Sequence, residues 1–382
     1  MVVNNSHDID FGILQEFAND SRVTDMVVSE DGRVWVDCGQ GLKECKPRVP
    51  MHSPKLLREY AVWLCAQLGK RLDDACPIAD ASTNSGIRIH AVLAPVVAQG
   101  AALSVRFPTL KKYDLLALSS QGMFPKEIAY VLGFLVKLKA NILITGSTGS
   151  GKTTLMKALL AMADSHDRII SVEETRELGE LTANHVSLSV REANVEGVGE
   201  IGLSQLVKAT LRMRPDRIVL GECRGEEIAD LLRVFTSGHK GGMTTIHADE
   251  VEKVPARLMA LGLLAKLEPA ALCALAAGAF DVVIHVERAS DGRRMVREIG
   301  VLQYLPAASA LQGKAVLRLE RCFSDGSIRM LVLPEWKKFA KCWKLPEDIT
   351  NICASNFSKN NFNQRSFNQR NFNQRNFNQI AS

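Results

Sequence analysis

The stretch NILITGSTGSGKTTLMKALL, residues 141–160, decides the fold of the central part of the chain. An apolar run leads into a glycine-rich turn, and a lysine, two threonines and a second apolar run follow. The turn has the spacing G-x-x-x-x-G-K-[ST], with Gly146, Gly151, Lys152 and Thr153 at the defining positions. The pattern needs a strand before it and a helix after it, and both are indicated here. The stretch therefore predicts a phosphate-binding loop (P-loop) rather than an ordinary glycine turn that caps a helix.

The residue types of this loop suit a nucleoside triphosphate. Glycines let backbone N–H groups converge on phosphate oxygens, and the helix that follows offers unpaired N–H groups and a positive dipole end. Lys152 is expected to reach the β- and γ-phosphates, and Thr153 to bind Mg²⁺. The predicted nucleotide-binding residues of the loop are Gly146, Ser147, Thr148, Gly149, Ser150, Gly151, Lys152, Thr153 and Thr154.

The sequence around the loop divides into segments of different character. Residues 1–107 are predicted to form a small α+β domain, with a hairpin at Asp31-Gly32 and a helix over 53–72. Residues 108–123 are polar and punctuated by proline and glycine, which favours a linker. From 124 to 305 helical and strand patterns alternate, which predicts a mostly parallel α/β sheet covered by helices. A C-terminal extension over 306–355 and a low-complexity tail over 356–382, whose FNQRN-type repeat has a period of five, complete the chain.

Composition and charge exclude some classes of protein. The net charge of +5 is too small to argue for nucleic-acid binding, and the nine cysteines include no C-x-x-C pair that would indicate zinc. Such cysteines suit reduced thiols in a cytosol. No signal peptide is predicted, and the apolar stretch 270–284 is too short to span a bilayer and is interrupted by Asp281. Any membrane contact is therefore expected to be peripheral.

Acidic residues follow two later strand patterns. Glu222 ends RIVLGE, and Glu173, Glu174 and Glu177 lie in SVEETREL. Hydrolysis needs a carboxylate that orients water and a group that senses the metal, so these acids favour catalysis over a surface role.

Histidines and arginines supply further candidates. His239 and His247 flank a predicted strand and could sense the γ-phosphate, although a lone histidine is more often structural. Arginines near a P-loop can stabilise transition-state charge, sometimes from a neighbouring subunit, or can be plain surface charge. Those singled out are Arg212, Arg214, Arg217, Arg88 and Arg106.

Four segments together resemble one family. GSTGSGKTT, SVEETREL, LRMRPDRIVLGECRG and SGHKGGMTTIHA stand in the order of the Walker A, Asp, Walker B and His boxes of the type II/type IV secretion and pilus-assembly ATPases. GIRIHAVLAPVVAQGAALSVRF and ANVEGVGEIGLSQLVKATLRMRPDR look most like the tight-adherence (Tad/CpaF-type) pilus ATPases and their conjugation-type relatives. The resemblance extends over about residues 8–305. It departs at Glu174, where many members have aspartate, and at Cys223.

The resemblance implies a fold and a machine. We expect a RecA-like P-loop NTPase domain preceded by a smaller α+β domain, assembled as a homohexamer on an inner-membrane platform protein at the cytoplasmic face. It implies ATP and Mg²⁺ as cofactors, with Thr153 and Glu222 holding the metal through water. Glu177 is then the general base, Glu222 the Walker B acid, and Lys152 and His247 catalytic partners. Basic residues expected near nucleotide are Arg88, Arg106, Arg191, Arg214 and His239.

The expected function is ATP hydrolysis that powers pilus assembly or protein export. One alternative is a conjugation-type (type IV) secretion ATPase with the same chemistry. A second is an ATP-binding scaffold without turnover, which the acids at 177 and 222 disfavour. A third is a RecA-like nucleic-acid motor, and since no basic–aromatic stripe supports it, no nucleic-acid partner is expected.

Overall fold

The computed structural model describes residues 9–83, 85–108, 114–191, 198–289, 292–322 and 327–349. The repeat tail over 356–382 lies outside the described residues, as do 109–113 of the predicted linker. The chain divides into two compact units. Unit 1 comprises residues 1–111 together with 175–179, and unit 2 comprises 112–174 and 180–382.

Unit 1 is a six-stranded antiparallel sheet packed on a helix, in the strand order β3-β2-β1-β6-β5-β4. Helix α2 begins as its sequence predicts, because Ser53 accepts a hydrogen bond from Leu56 N and Pro54 occupies the first turn. Its buried face, which includes Leu57 and Leu64, packs into the apolar core of this unit. The elements are α1 (Gln15–Ala18), β1 (Asp25–Val28), β2 (Val34–Asp37), β3 (Leu42–Cys45), α2 (Pro54–Ala66), β4 (Ile78–Ser82), β5 (Arg88–Leu93) and β6 (Ala101–Arg106).

Unit 2 is built on a nine-stranded sheet in the order β15-β14-β13-β12-β7-β11-β10-β8-β9. The six strands from β12 to β9 run parallel, and β13, β14 and β15 continue the sheet antiparallel. The strands are β7 (Ile142–Thr145), β8 (Ile169–Glu173), β9 (His185–Ser189), β10 (Arg217–Leu220), β11 (Met243–Ile246), β12 (Val282–Arg288), β13 (Arg294–Leu305), β14 (Ala310–Arg321) and β15 (Ile328–Val332).

Helices connect and cover these strands. All residues of β7, β8, β10 and β11 are buried, as expected of central parallel strands with both faces covered. The helices are α3 (Leu115–Ser120), α4 (Lys126–Lys137), α5 (Lys152–Leu160), α6 (Leu203–Thr210), α7 (Glu227–Thr236), α8 (Val254–Leu264), α9 (Pro269–Ala279) and α10 (Glu335–Trp343). Among the described residues, none of these helices combines the length and apolar character needed to cross a membrane.

The fold class expected from the sequence, an α/β P-loop domain after a smaller α+β domain, is confirmed. Two features bear on the predicted boundaries. Helix α3 lies inside the predicted linker 108–123, and β14 and β15 extend the unit 2 sheet beyond residue 305. The domain limits at 107 and 305 stay predictions.

Candidate nucleotide site

The P-loop lies where parallel strands place ligand-binding turns, between the carboxyl end of β7 and the first turn of α5. Gly146 has φ +150°, and a Cβ there would overlap the carbonyl oxygen of Val286 on the neighbouring strand. Gly151 precedes α5 with φ +101°, in the left-handed region. Both positions therefore require glycine. The lack of a side chain at each leaves the backbone of the turn accessible to a ligand.

Lys152 points back into the turn. Its Nζ donates hydrogen bonds to the carbonyl oxygens of Gly146 and Ser147, both at 2.9 Å. His247 Nδ1 lies 3.4 Å from the same Nζ. An ammonium group has three donors and no acceptor, so incoming phosphate oxygens can replace these carbonyls without leaving it unpaired.

Glu222 is the centre of a charged network that continues from Lys152. His247 Nε2 lies 2.6 Å from Glu222 Oε1, and Arg224 Nη2 donates to Glu222 Oε2 at 2.8 Å. Arg224 Nη1 also donates to Glu174 Oε2 at 3.1 Å. The network joins side chains from the Asp, Walker B and His boxes to the P-loop lysine, because β8, β10, β11 and β7 are successive parallel strands that end at one edge.

The charge of Glu222 is set by this network. Burial by itself raises the pKa of the carboxyl group, and the hydrogen bond and charge of Arg224, with the charges of His247 and Lys152, outweigh it. The net result is a pKa below its ordinary value. Glu222 is thus an anion that can accept hydrogen bonds from water.

Glu173 and Glu177 lie in different surroundings. Glu173 ends β8 and is buried beside Gly221, where its Cγ lies 3.1 Å from the position of a Cβ on that glycine. Glu177 belongs to the short segment that groups with unit 1, and its Oε1 lies 2.8 Å from Arg88 Nη2. Arg88 is paired in register with Arg106, whose Nε lies 4.0 Å from Asp25 Oδ1. The predicted general base therefore has an arginine partner within its own unit.

Two residues predicted to contact nucleotide lie at the opposite end of their strands from the P-loop. His239 precedes β11 and its carbonyl accepts a hydrogen bond from Asn141 Nδ2, while Arg214 precedes β10. Both lie at the amino edge of the sheet, about 13 Å of strand away from the loop. Within one chain these two residues are therefore distant from the loop, and their contact with nucleotide stays a prediction.

Arg191 is also distant from the P-loop within its unit. It follows edge strand β9, four positions from β7 in the sheet, or about 19 Å at the usual strand spacing. Its Nε donates to the carbonyl of Gly199 at 2.6 Å. Contact of these three basic residues with the nucleotide of a neighbouring copy stays a prediction.

Two side chains at the site were not singled out from the sequence. Arg224 has a sequence signal, since it stands two residues after Glu222 at the end of the same strand. His285 has none, because only the pairing of β12 with β7 brings its Nδ1 to 3.1 Å from Thr145 Oγ1. Burial lowers the pKa of His285, which favours a neutral ring beneath the P-loop.

The residues fit a nucleotide with a magnesium ion. Ser150 Oγ is buried in the turn and has no hydrogen-bond partner within the described part of the chain. The described residues contain no group of three or more His, Cys, Asp or Glu side chains that could hold a metal. Mg²⁺ in nucleotide sites typically takes one or two protein oxygens plus phosphates and water, and Thr153 and Glu222 can supply the protein oxygens.

Comparison with known proteins identifies the family of the chain. Residues 8–295 match the family described as Type II/IV secretion system protein. A Mycobacterium tuberculosis (strain H37Rv) protein, provisionally named a conjugal transfer protein, is 41% identical over 320 residues, which is 82% of this chain and 90% of the relative. The type IV secretion system protein VirB11 of Bartonella quintana (strain Toulouse) is 29% identical over 269 residues, 62% of this chain and 75% of that protein.

Among solved structures, the pilus retraction motor PilT with bound ADP aligns with a TM-score of 0.54 at 16% identity, over 84% of this chain and 82% of that one. At this identity the likeness shows the fold alone. The family expected from the four boxes is confirmed by the sequence match. The chain belongs to the type II/IV secretion system protein family and is a secretion ATPase.

Proposed function

We propose that the chain is the Mg²⁺-dependent ATP-hydrolysing motor of a conjugation-type (type IV) secretion machine. The observation that carries the proposal is the network Lys152–His247–Glu222–Arg224, which connects the P-loop to the ends of two adjacent strands. Such a connection lets the state of the γ-phosphate change contacts outside the loop.

The choice of machine rests on the relatives. Conjugal transfer and type IV secretion are the names carried by the mycobacterial relative and by VirB11. They support the conjugation-type alternative better than the pilus-assembly interpretation that the sequence first favoured. Pilus assembly remains the second candidate, since the matching family covers type II as well as type IV proteins.

Each residue of the site has its own role in ATP hydrolysis. Lys152 binds and neutralises the β- and γ-phosphates, while Thr153 and Glu222 hold the metal through its water shell. Mg²⁺, when bound, neutralises charge on the phosphates. His247 lies between Lys152 and Glu222 and senses the γ-phosphate. Glu177 is the general base that activates the attacking water.

We further propose a homohexamer at the cytoplasmic face of the membrane, in peripheral contact with an inner-membrane platform protein. The arginines at 88, 106, 191 and 214, with His239, would then contact nucleotide within a ring. A particle about six times the mass of the 41.9 kDa chain in analytical ultracentrifugation supports the ring, and a monomer at all concentrations contradicts it.

Steady-state phosphate release tests the motor function. The wild type should release phosphate from Mg-ATP well above a Lys152→Ala control, and Glu222→Gln should bind ATP yet turn over at least about a hundredfold more slowly. Release no faster than that of Lys152→Ala would favour the scaffold without turnover.

A deletion strain separates the two machines. Complementation with wild type, but not Lys152→Ala, should restore plasmid transfer. Restoration of surface pili with plasmid transfer unaffected would favour the pilus-assembly candidate.

A further inference from the structure

The hairpin of β12 and β13 overlies the P-loop. Because His285 is in register with Thr145, the last three residues of β12 extend past the end of β7 alongside the loop. Arg288 and Arg294 form the final ladder pair of this hairpin, and Ala289 N donates to the carbonyl of Arg293 at 2.8 Å. Directly opposite residues of a ladder share a face, so both guanidinium groups leave the hairpin on one side.

Three glycines of the loop touch this hairpin. The Val286 carbonyl occupies the space of a Cβ on Gly146. A Cβ on Gly151 would lie 3.1 Å from Arg294 Cδ, and one on Gly149 would lie 3.8 Å from Arg288 Nη1. Contact with the hairpin thus requires glycine at 146, whose Cβ would meet backbone, whereas a Cβ at 151 would crowd a flexible side chain and one at 149 would make an ordinary contact.

One of these contacts is a hydrogen bond that fixes a peptide. Arg294 Nε donates to the carbonyl oxygen of Gly149 at 3.1 Å. In a trans peptide the carbonyl and the next N–H point in opposite directions, so this bond directs the N–H of Ser150 into the turn. Across the turn that N–H donates a hydrogen bond to the Ser147 carbonyl, with the nitrogen and oxygen 3.3 Å apart.

We propose that the β12–β13 hairpin is a clamp on the P-loop. Arg294 is a positioning residue that holds the Gly149–Ser150 peptide with its N–H directed into the turn, where a phosphate oxygen would replace the Ser147 carbonyl as its acceptor. Arg288 adds a second cation beside the same peptide. The clamp acts on the diphosphate or triphosphate of a nucleotide. It rests on the proposed function for its ligand, and it assigns a role to two arginines outside the four boxes.

The positioning role makes a prediction that charge alone does not. Arg294→Ala frees the Gly149 carbonyl and should weaken binding of a fluorescent ADP analogue about tenfold, in line with loss of a hydrogen bond to a charged donor. Arg293→Ala is the matched control, because it removes the same charge one residue away while leaving the backbone bond to Ala289. It should weaken binding by less than about threefold, and Arg288→Ala should fall between the two.

The experiment is fluorescence titration of the full chain with the ADP analogue, with and without Mg²⁺, beside thermal unfolding without nucleotide. Arg294→Lys keeps a donor within reach and should recover at least half of the lost affinity on a logarithmic scale. Melting temperatures of the unliganded variants should agree within about 2 °C.

Failure of the clamp and failure of the proposed function give different experimental results. Wild type that binds no analogue contradicts the nucleotide site itself. If the wild type binds the analogue and Arg293→Ala and Arg294→Ala lose equal affinity, the clamp is overturned, because the effect is then one of general charge. A melting temperature of Arg294→Ala lowered by more than about 5 °C, with Arg294→Lys failing to restore binding, also overturns it, since the residue would then serve the fold.

Discussion

Replacement of Arg224 by alanine tests the charged network directly. The guanidinium contacts Glu222, whose side chain is 25% exposed, and Glu174, whose side chain is 46% exposed. The exposed contact is worth about 0–1 kcal/mol, while a hydrogen bond to the half-buried anion is worth about 1.5–3 kcal/mol. Because Arg224 is itself 52% exposed, solvent reduces the sum to about 1–2 kcal/mol. We therefore expect the unliganded protein to melt about 2–8 °C lower.

A second consequence concerns pH. Burial raises the pKa of Glu222 and Arg224 opposes it, so removal of Arg224 should raise the pKa of that carboxyl group. Glu222 would then take up a proton at a higher pH than in the wild type. Phosphate release by Arg224→Ala, expressed relative to wild type, should therefore be lower at about pH 5 than at about pH 8.

Arg233→Ala is the control, since it removes an arginine that is 62% exposed, and its buried partner Asp230 keeps contacts with Lys208 and Ser204. It should lower the melting temperature by no more than about 2 °C and leave the pH profile unchanged. Equal melting temperatures for the two variants, together with an activity ratio that is constant across pH, would refute the role given to Arg224.

Three further predictions concern other parts of the chain. Arg217→Ala breaks the buried pair with Asp167, at 2.7 Å, and should cost about 3 kcal/mol in denaturant unfolding; a loss below about 0.5 kcal/mol would contradict it. His285 has a lowered pKa in the fold, so the unfolded chain binds its proton first and stability should fall as pH drops below about 6.5. His285→Asn should reduce the difference between melting temperatures at about pH 7.5 and 5.5, and an unchanged difference would argue against the assignment. Deletion of 356–382 should leave the melting temperature within about 2 °C, and a larger fall would make the tail structural.

Local patterns predicted the parts of the site that depend on one strand and its next turn. Glycine spacing with flanking apolar runs located the P-loop, and an acid after an apolar run located Glu222. Both signals arise because parallel strands are buried throughout and bind ligands at their carboxyl ends. The direction of a strand also decides which predicted residues lie near the loop within one chain, since His239 and Arg214 precede their strands while Glu222 and His247 follow theirs.

Contacts between residues far apart in the sequence could not be predicted from local patterns. The contact of Arg294 with Gly149 joins residues 145 positions apart, and it depends on the order of strands in the sheet rather than on either segment alone. The same holds for His285 and Thr145, which are 140 positions apart. Residue types near a turn predict what the turn binds, while the side chains that support it become known only with the topology.

The discontinuous path of the chain between its two units has a practical consequence. Glu177 lies in the five residues that leave the P-loop unit between β8 and β9 and group with unit 1, where Arg88 is its ion partner. A truncated protein that starts at residue 112 would keep the P-loop, Glu222 and His247, yet Glu177 would lose that partner and the surroundings that hold its segment. With the role proposed for Glu177, low turnover in such a fragment would therefore be expected from the loss of that support, even with the P-loop intact.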